Sequence, residues 1–115
     1  MAEDTLFDKI LRKEIPADVV HEDGEVMAFR DINPQAPTHV LVVPKTKLES
    51  FADLADADPE TIGRYMSAIA HVAKMLGLEE GGYRIVFNTG PQAQQSVQYI
   101  HAHILGGRQF TWPPG

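Results

Sequence analysis

A chain of 115 residues, 43% hydrophobic and 23% charged, is sized for one domain with its own core, spanning residues 1–115. A net charge of −6 supplies no field to hold a nucleic-acid backbone, and the lack of cysteine excludes disulfides, thiol catalysis and Cys-ligated zinc. No run approaches the ~18 apolar residues of a membrane span, and the acidic start Met1-Ala2-Glu3-Asp4-Thr5 lacks a secretory h-region. The expected setting is therefore cytoplasmic, with no nucleic-acid polymer or membrane as partner.

Taken in chain order, Leu6, Phe7, Ile10 and Leu11 fall at helical spacing, predicting a short helix over 5–13 with Asp4 as N-cap. Residues 17–21 and 26–29 read as strands around the turn Glu22-Asp23-Gly24. The two prolines of 31–37 make that stretch a loop, and 39–43 a nearly continuous apolar strand stopped by Pro44. Asp58 as N-cap, Pro59 at the first helical position and Glu60 in the first turn open the longest helix. Ile62, Tyr65, Met66, Ile69, Val72, Ala73 and Leu76 carry its apolar face, and Gly77 suits the C′ position. A strand over 83–87, a polar loop over 88–95, a histidine-bearing strand and the tail 108–115 complete the chain. Helix, three strands, helix, two strands with hairpin-length connections predict an α+β fold, a five-stranded antiparallel sheet with its helices over one face. Its exposed edges favour pairing in a homodimer.

The histidine strand is the informative segment. A period of 2 places Tyr99, His101, His103 and Leu105 on one face, and Gln98, Ile100, Ala102 and Ile104 on the other. Two neighbouring imidazoles in an apolar strand fit three readings. They are hydrogen-bonded structural residues, or two ligands of a metal completed by His39, Asp31 or His21, or nucleophile and partner in chemistry on phosphorus. A histidine is substantially neutral at cell pH and attacks phosphorus without a separate base. Other groups also have plain readings: Asp31 as a turn residue, Asn88 as a loop residue, Phe7, Ile10, Phe29 and Leu41 as core. His21 and His71 match no motif. Glu3, Asp4, Glu79 and Glu80 read as solvated surface.

Several stretches in register carry a resemblance. They are Leu6-Phe7-x-Lys9-Ile10, Glu14-Ile15-Pro16, Asp31-Ile32-x-Pro34-Gln35-Ala36-Pro37-Thr38-His39, Asn88-x-Gly90, Gln95-Ser96-Val97, His101-x-His103-x-Leu105-Gly106-Gly107-Arg108 and Trp112-Pro113-Pro114-Gly115. Over essentially its full length the chain resembles the histidine triad (HIT) nucleotide-binding proteins, especially their phosphoramidase branch, Hint. The resemblance implies a HIT-like fold whose protomers join their sheets in a dimer. It implies hydrolysis of purine nucleoside phosphoramidates (AMP or GMP linked to an amine), without metal or other cofactor. By position, His101 is the expected nucleophile and His103 binds the phosphoryl group beside Asn88 and Ser96. Ser96 assists the leaving nitrogen, and His39 supports the nucleophile. Asp31 holds the ribose, and Phe7, Ile10, Phe29, Ile32 and Leu41 wall the base pocket. Gln95 joins the nucleotide-binding set, and Trp112 approaches the partner's site.

Two departures stand out. Tyr99 occupies the first triad position, where the family has histidine; it offers an orienting hydrogen bond but no cation at neutral pH. Pro91-Gln92-Ala93-Gln94 replaces glycines that let a backbone approach phosphate closely. Nucleotide binding with weak or vestigial turnover is the alternative these departures raise, and dinucleoside polyphosphate hydrolysis is a narrower one.

Overall fold

The computed structural model describes residues 4–115, so Met1–Glu3 and their expected surface charge lie outside it. Helix α1 (Leu6–Leu11) is followed by strands β1 (Val19–Glu22), β2 (Val26–Arg30) and β3 (Thr38–Pro44), a 3₁₀ segment (Phe51–Asp56) and helix α2 (Pro59–Met75). Strand β4 (Tyr83–Val86), a 3₁₀ turn (Pro91–Ala93) and β5 (Ala102–Gly106) complete the order. The five strands form one sheet in the order β1-β2-β3-β5-β4, with every neighbouring pair antiparallel. No helix among the described residues is long and apolar enough to cross a membrane.

The long helix forms as its sequence dictates. The Asp58 carboxylate accepts from the Thr61 N–H, Pro59 stands in the first turn, and Gly77 follows with φ +74°. Tyr65, Ile69, Val72 and Ala73 form the buried stripe. The short helix differs from expectation. Its N-cap is Thr5 rather than Asp4, because Thr5 and Asp8 exchange side-chain-to-backbone hydrogen bonds in a capping box. Asp4 instead pairs with Arg12. The helix ends at Leu11, and Lys13 then turns the chain with φ +65°.

The helices do not share a face of the sheet, contrary to the sequence expectation. Strands β2 and β3 are apolar at consecutive positions, which a strand requires only when both of its faces are buried. On one face Val26, Ala28, Val40, Val42, Ala102 and Ile104 pack against Tyr65, Ile69, Val72 and Ala73 of α2. On the other, Met27, Phe29, Leu41 and Val43 pack against Phe7 and Ile10 of α1, together with Tyr99.

The histidine strand is also shorter than predicted. Its ladder begins at Ala102, and the lead-in is held by the Ile100 N–H donating to the Leu48 carbonyl at 2.7 Å. The predicted alternation nevertheless persists through the lead-in. Tyr99 belongs to the α1-side cluster and Ile100 to the α2-side cluster.

Candidate active site

Antiparallel register brings the two central strands' polar residues together. His103 of β5 stands opposite Leu41 of β3, and Leu105 opposite His39. His39 and His103 are therefore diagonal neighbours on the α1 side. Their rings lie 5.2 Å apart between centroids, and those of His101 and His103 4.9 Å apart. Helix α1 has six residues, too short to cover this face completely. The uncovered part is a cavity of about 250 Å³ lined by residues that include Phe7, Ile10, Phe29, Asp31, Ile32, Leu41, Ser96, His101 and His103.

The hydrogen bonds fix which nitrogen of each ring carries the proton. Nδ1 of His101 lies 2.7 Å from the Tyr99 carbonyl, which only accepts, so Nδ1 donates and the neutral ring keeps its lone pair on Nε2. Phe7 packs edge-on against this ring at 4.9 Å and holds its orientation. The neighbouring ring is set the opposite way. The Gln35 N–H donates to His39 Nδ1 at 3.0 Å, so the His39 proton is on Nε2. That Nε2–H donates to His103 Nδ1 at 2.9 Å, which puts the His103 proton on its own Nε2. His103 Nε2 is the one buried side-chain polar atom among the described residues with no hydrogen-bond partner. Two adjacent imidazoles thus present opposite polarity: a lone pair from His101 and an unsatisfied N–H from His103.

Burial keeps both rings neutral. It pushes His103 down to about 4, helped by the neighbouring His101 and His39 and opposed by the Asp31 carboxylate. Burial likewise lowers His101, against its bond to the Tyr99 carbonyl and the Asp31 charge. His39 is lowered by burial and pulled back by Asp31, whose Oδ2 lies 3.4 Å from Nε2.

Asp31, His39 and His103 bring their potential ligand atoms within 4.8 Å of one another, a spacing compatible with a cation. The surrounding donors oppose one. A metal on His39 Nε2 requires the proton on Nδ1, and ligating histidines normally give that proton to an acceptor. Here Nδ1 faces the Gln35 N–H, a donor. The residues present therefore do not fit a metal in this cluster.

Of the sequence-predicted residues, Phe7, Ile10, Phe29, Ile32, Leu41, Asp31, Ser96, His101 and His103 meet at the cavity, and His39 stands directly behind His103. Asn88, Gln95, Tyr99 and Trp112 are not among its lining. The Gln95 side chain is taken up by backbone groups: its Oε1 accepts from the Gly90 N–H, and Nε2 donates to the Val97 carbonyl of its own loop and to the Glu49 carbonyl. The Tyr99 hydroxyl donates to the Pro44 carbonyl, and only its backbone carbonyl reaches His101. Trp112 is 82% exposed. Sequence reasoning missed Arg30, which also lines the cavity and which its place beside Asp31 could have flagged. It also missed Gln35, which acts through its backbone N–H and so leaves no side-chain signal.

Residues 12–110 match the family described as HIT domain. A Zea mays protein named 14 kDa zinc-binding protein is 55% identical over 113 residues, covering 96% of this chain and 88% of that protein. The purine nucleoside phosphoramidase of Escherichia coli K12 is 45% identical over 108 residues, covering 94% and 91% respectively. The crystal structure of a HIT family hydrolase from Legionella pneumophila superimposes with a TM-score of 0.89 at 50% identity, covering 96% of this chain and 98% of that one. With the family match covering most of the sequence and relatives of 45–55% identity covering nearly all of it, the chain belongs to the HIT domain family.

Proposed function

We propose that this protein hydrolyses purine nucleoside phosphoramidates through a nucleotidyl-histidine intermediate on His101. The observation that carries the reading is the opposed polarity of the two imidazoles, a lone pair on His101 beside an unpartnered N–H on His103. His101 Nε2 attacks the α-phosphorus, a P–N bond to the ring forms, and the substrate P–N bond breaks. The amine departs with the proton of the Ser96 hydroxyl. Water then attacks phosphorus, returns one proton to Ser96, and the P–Nε2 bond breaks, releasing the nucleoside monophosphate and the neutral His101 ring.

His103 Nε2–H donates to a phosphoryl oxygen as charge accumulates there, a donor already in place before the reaction begins. Asp31 accepts from the ribose hydroxyls, and Phe7, Ile10, Phe29, Ile32 and Leu41 hold the base. Gln95 and Tyr99 act from outside the cavity, Gln95 by closing the 90–97 loop and Tyr99 by holding the segment whose carbonyl accepts from His101. The chemistry asks for no metal, and the Gln35 donor facing His39 supports that reading. The E. coli relative named a purine nucleoside phosphoramidase supports the substrate class.

We extend the reading to a single cytoplasmic domain that works as a homodimer. Strand β4 is an outer strand with Tyr83 and Ile85 exposed, an edge suited to a second copy that would bring Trp112 toward the partner's site. A slow, mainly nucleotide-binding protein is the second reading. It is favoured by the Pro91–Gln94 loop, where Gln94 takes φ +60°, a conformation that favours glycine.

The deciding experiment incubates the protein with adenosine phosphoramidate, quenches in denaturant and looks for AMP on His101 by mass spectrometry. An adduct on His101 with steady release of AMP is expected. AMP binding without adduct or turnover replaces the hydrolase by the slow binding protein. Turnover that dies on exhaustive chelation overturns metal independence.

A further inference from the structure

The geometry points to Arg108 as a positioning residue for His103, acting through the Gln35 backbone and His39. The proposal deepens the hydrolase reading and rests on it for its kinetic consequences. Strand β5 ends at Gly106, and Gly107 reverses the chain with φ +92°. A Cβ at Gly107 would stand 2.9 Å from the Pro37 side chain, so this glycine lets the turn sit directly on the loop that precedes β3. Arg108 follows, and its Nε donates to the Gln35 carbonyl at 3.1 Å. Its guanidinium lies 4.2 Å from the centre of the Phe110 ring, which stiffens the arm in that pose.

Gln35 is consequently held at three points. Its carbonyl accepts from Arg108, its side-chain amide donates to the Asn33 carbonyl at 3.0 Å, and its N–H donates to His39 Nδ1. The last of these bonds decides the polarity of the chain behind the cavity. With the Gln35 N–H in place, His39 donates to His103, and His103 points an N–H outward. If the Gln35 backbone rotates away, His39 becomes free to hold its proton on Nδ1. Nε2 then accepts from His103 Nδ1, and His103 turns a lone pair toward the phosphoryl oxygens. Arg108 does not line the cavity, so its loss acts on the charge developing at phosphorus rather than on nucleotide binding.

The test compares Arg108→Ala, Arg108→Met, Arg108→Lys and Phe110→Leu in the full chain. It uses adenosine phosphoramidate turnover and ¹⁵N chemical shifts of the imidazole nitrogens, which distinguish the two neutral tautomers. Arg108→Ala and Arg108→Met should lower kcat about tenfold with KM within about twofold, and shift His39 and His103 from the Nε2–H form toward a mixture. Met preserves the apolar contact with Phe110 but has no donor. It therefore separates the hydrogen bond from the stacking and decides the matter if the Ala variant loses stability. Arg108→Lys, with an ammonium able to reach the Gln35 carbonyl, should recover most of the rate and the wild-type tautomers. Phe110→Leu should stay within about twofold of wild type.

Unchanged tautomers and kcat in a folded Arg108→Met protein overturn the proposal. So does a Phe110→Leu variant that reproduces the whole loss of kcat with wild-type tautomers. A wild-type protein that neither turns over substrate nor forms the His101 adduct removes the hydrolase reading instead, while the tautomer shifts still report on Arg108.

Discussion

Strands β3 and β5 supply both sides of the molecule with alternate residues, and the two sides are built differently. Toward α2 they present Val40, Val42, Ala102 and Ile104, which a 17-residue helix covers with Ile69, Val72 and Ala73. Toward α1 they present His39, Leu41, His103 and Leu105, under a helix of six residues that leaves a cavity. On the α2 side the buried Tyr65 hydroxyl is satisfied, donating to the Val42 carbonyl at 2.7 Å. On the α1 side the Gln35 N–H, His39 and His103 form a chain ending in the unpartnered His103 N–H. One face spends its burial on stability. The other spends it on keeping imidazoles neutral and holding their protons at chosen atoms.

The comparison is broken most directly at His101. Replacing it by Asn removes the attacking lone pair while preserving a polar side chain of similar size. We expect turnover of a nucleoside phosphoramidate to fall more than about 10³-fold. The melting temperature should stay within a few degrees, because the ring contributes to the site rather than to the α2-side core. A thermal melt that collapses together with activity would show that the α1 face carries stability as well.

The converse change is Ile69→Ala on α2, where the side chain is 3% exposed. Truncating a buried aliphatic residue in a packed cluster costs about 3 kcal/mol, from lost transfer energy and the cavity left behind. Denaturant unfolding should report that loss, while kcat/KM per folded molecule remains that of wild type. A large kinetic effect would mean that the two faces communicate through the sheet.

How far the sequence anticipates this division differs between the faces. The α2 face was legible because it obeys periodic rules. Asp58, Pro59 and Gly77 bracket the helix, and residues at three- and four-residue steps form its buried stripe. The placement of α1 was not legible. A six-residue helix carries too little pattern to say which side of a sheet it covers, and Thr5 and Asp4 are both competent caps. What selects Thr5 is the reciprocal bond with Asp8, a detail of spacing that composition does not show. His101, His103, Asp31 and the apolar walls could be assigned from motifs, because side chains carry them. The Gln35 N–H and the Tyr99 carbonyl could not, because any residue supplies those atoms. Gln95 shows the opposite limit. Its motif position suggested contact with the nucleotide, yet its amide is consumed closing the 90–97 loop.

The neutral imidazoles make the α1 face sensitive to acid. His103 titrates at about 4 in the folded protein against 6.5 for an ordinary imidazole, because burial, His101 and His39 all disfavour its cation. A lowered histidine value means that the unfolded chain binds the proton first as pH falls. The associated stability is present above pH 6.5, declines below it and is fully lost beneath about pH 4. His101 and His39 are lowered in the same direction and add to the slope. Urea unfolding across this range should show the decline, and His103→Asn should flatten it. An equally steep profile in that variant would place the acid sensitivity elsewhere.

The smallest effect is expected at Tyr99, although its motif position makes it the residue the sequence reading singles out. Its hydroxyl points away from the cavity to the Pro44 carbonyl, and burial raises its ionisation to about 12, so it neither relays a proton nor carries charge near neutrality. Its ring packs beside Phe7 at 6.4 Å with the Lys47 ammonium 5.6 Å from its centre. The group that touches His101 is the backbone carbonyl, which every substitution retains. Tyr99→Phe should therefore cost about 1 kcal/mol of stability, through one lost hydrogen bond to a buried carbonyl. Its kcat should fall no more than about threefold, through loosening of the segment that carries the His101 acceptor. Tyr99→His, which places a third imidazole on this face, should likewise leave kcat within about threefold of wild type. A rate gain of a hundredfold or more in Tyr99→His would show that the ring at this position does act on the reaction. The contrast between the faces would then extend one residue further along the α1 side.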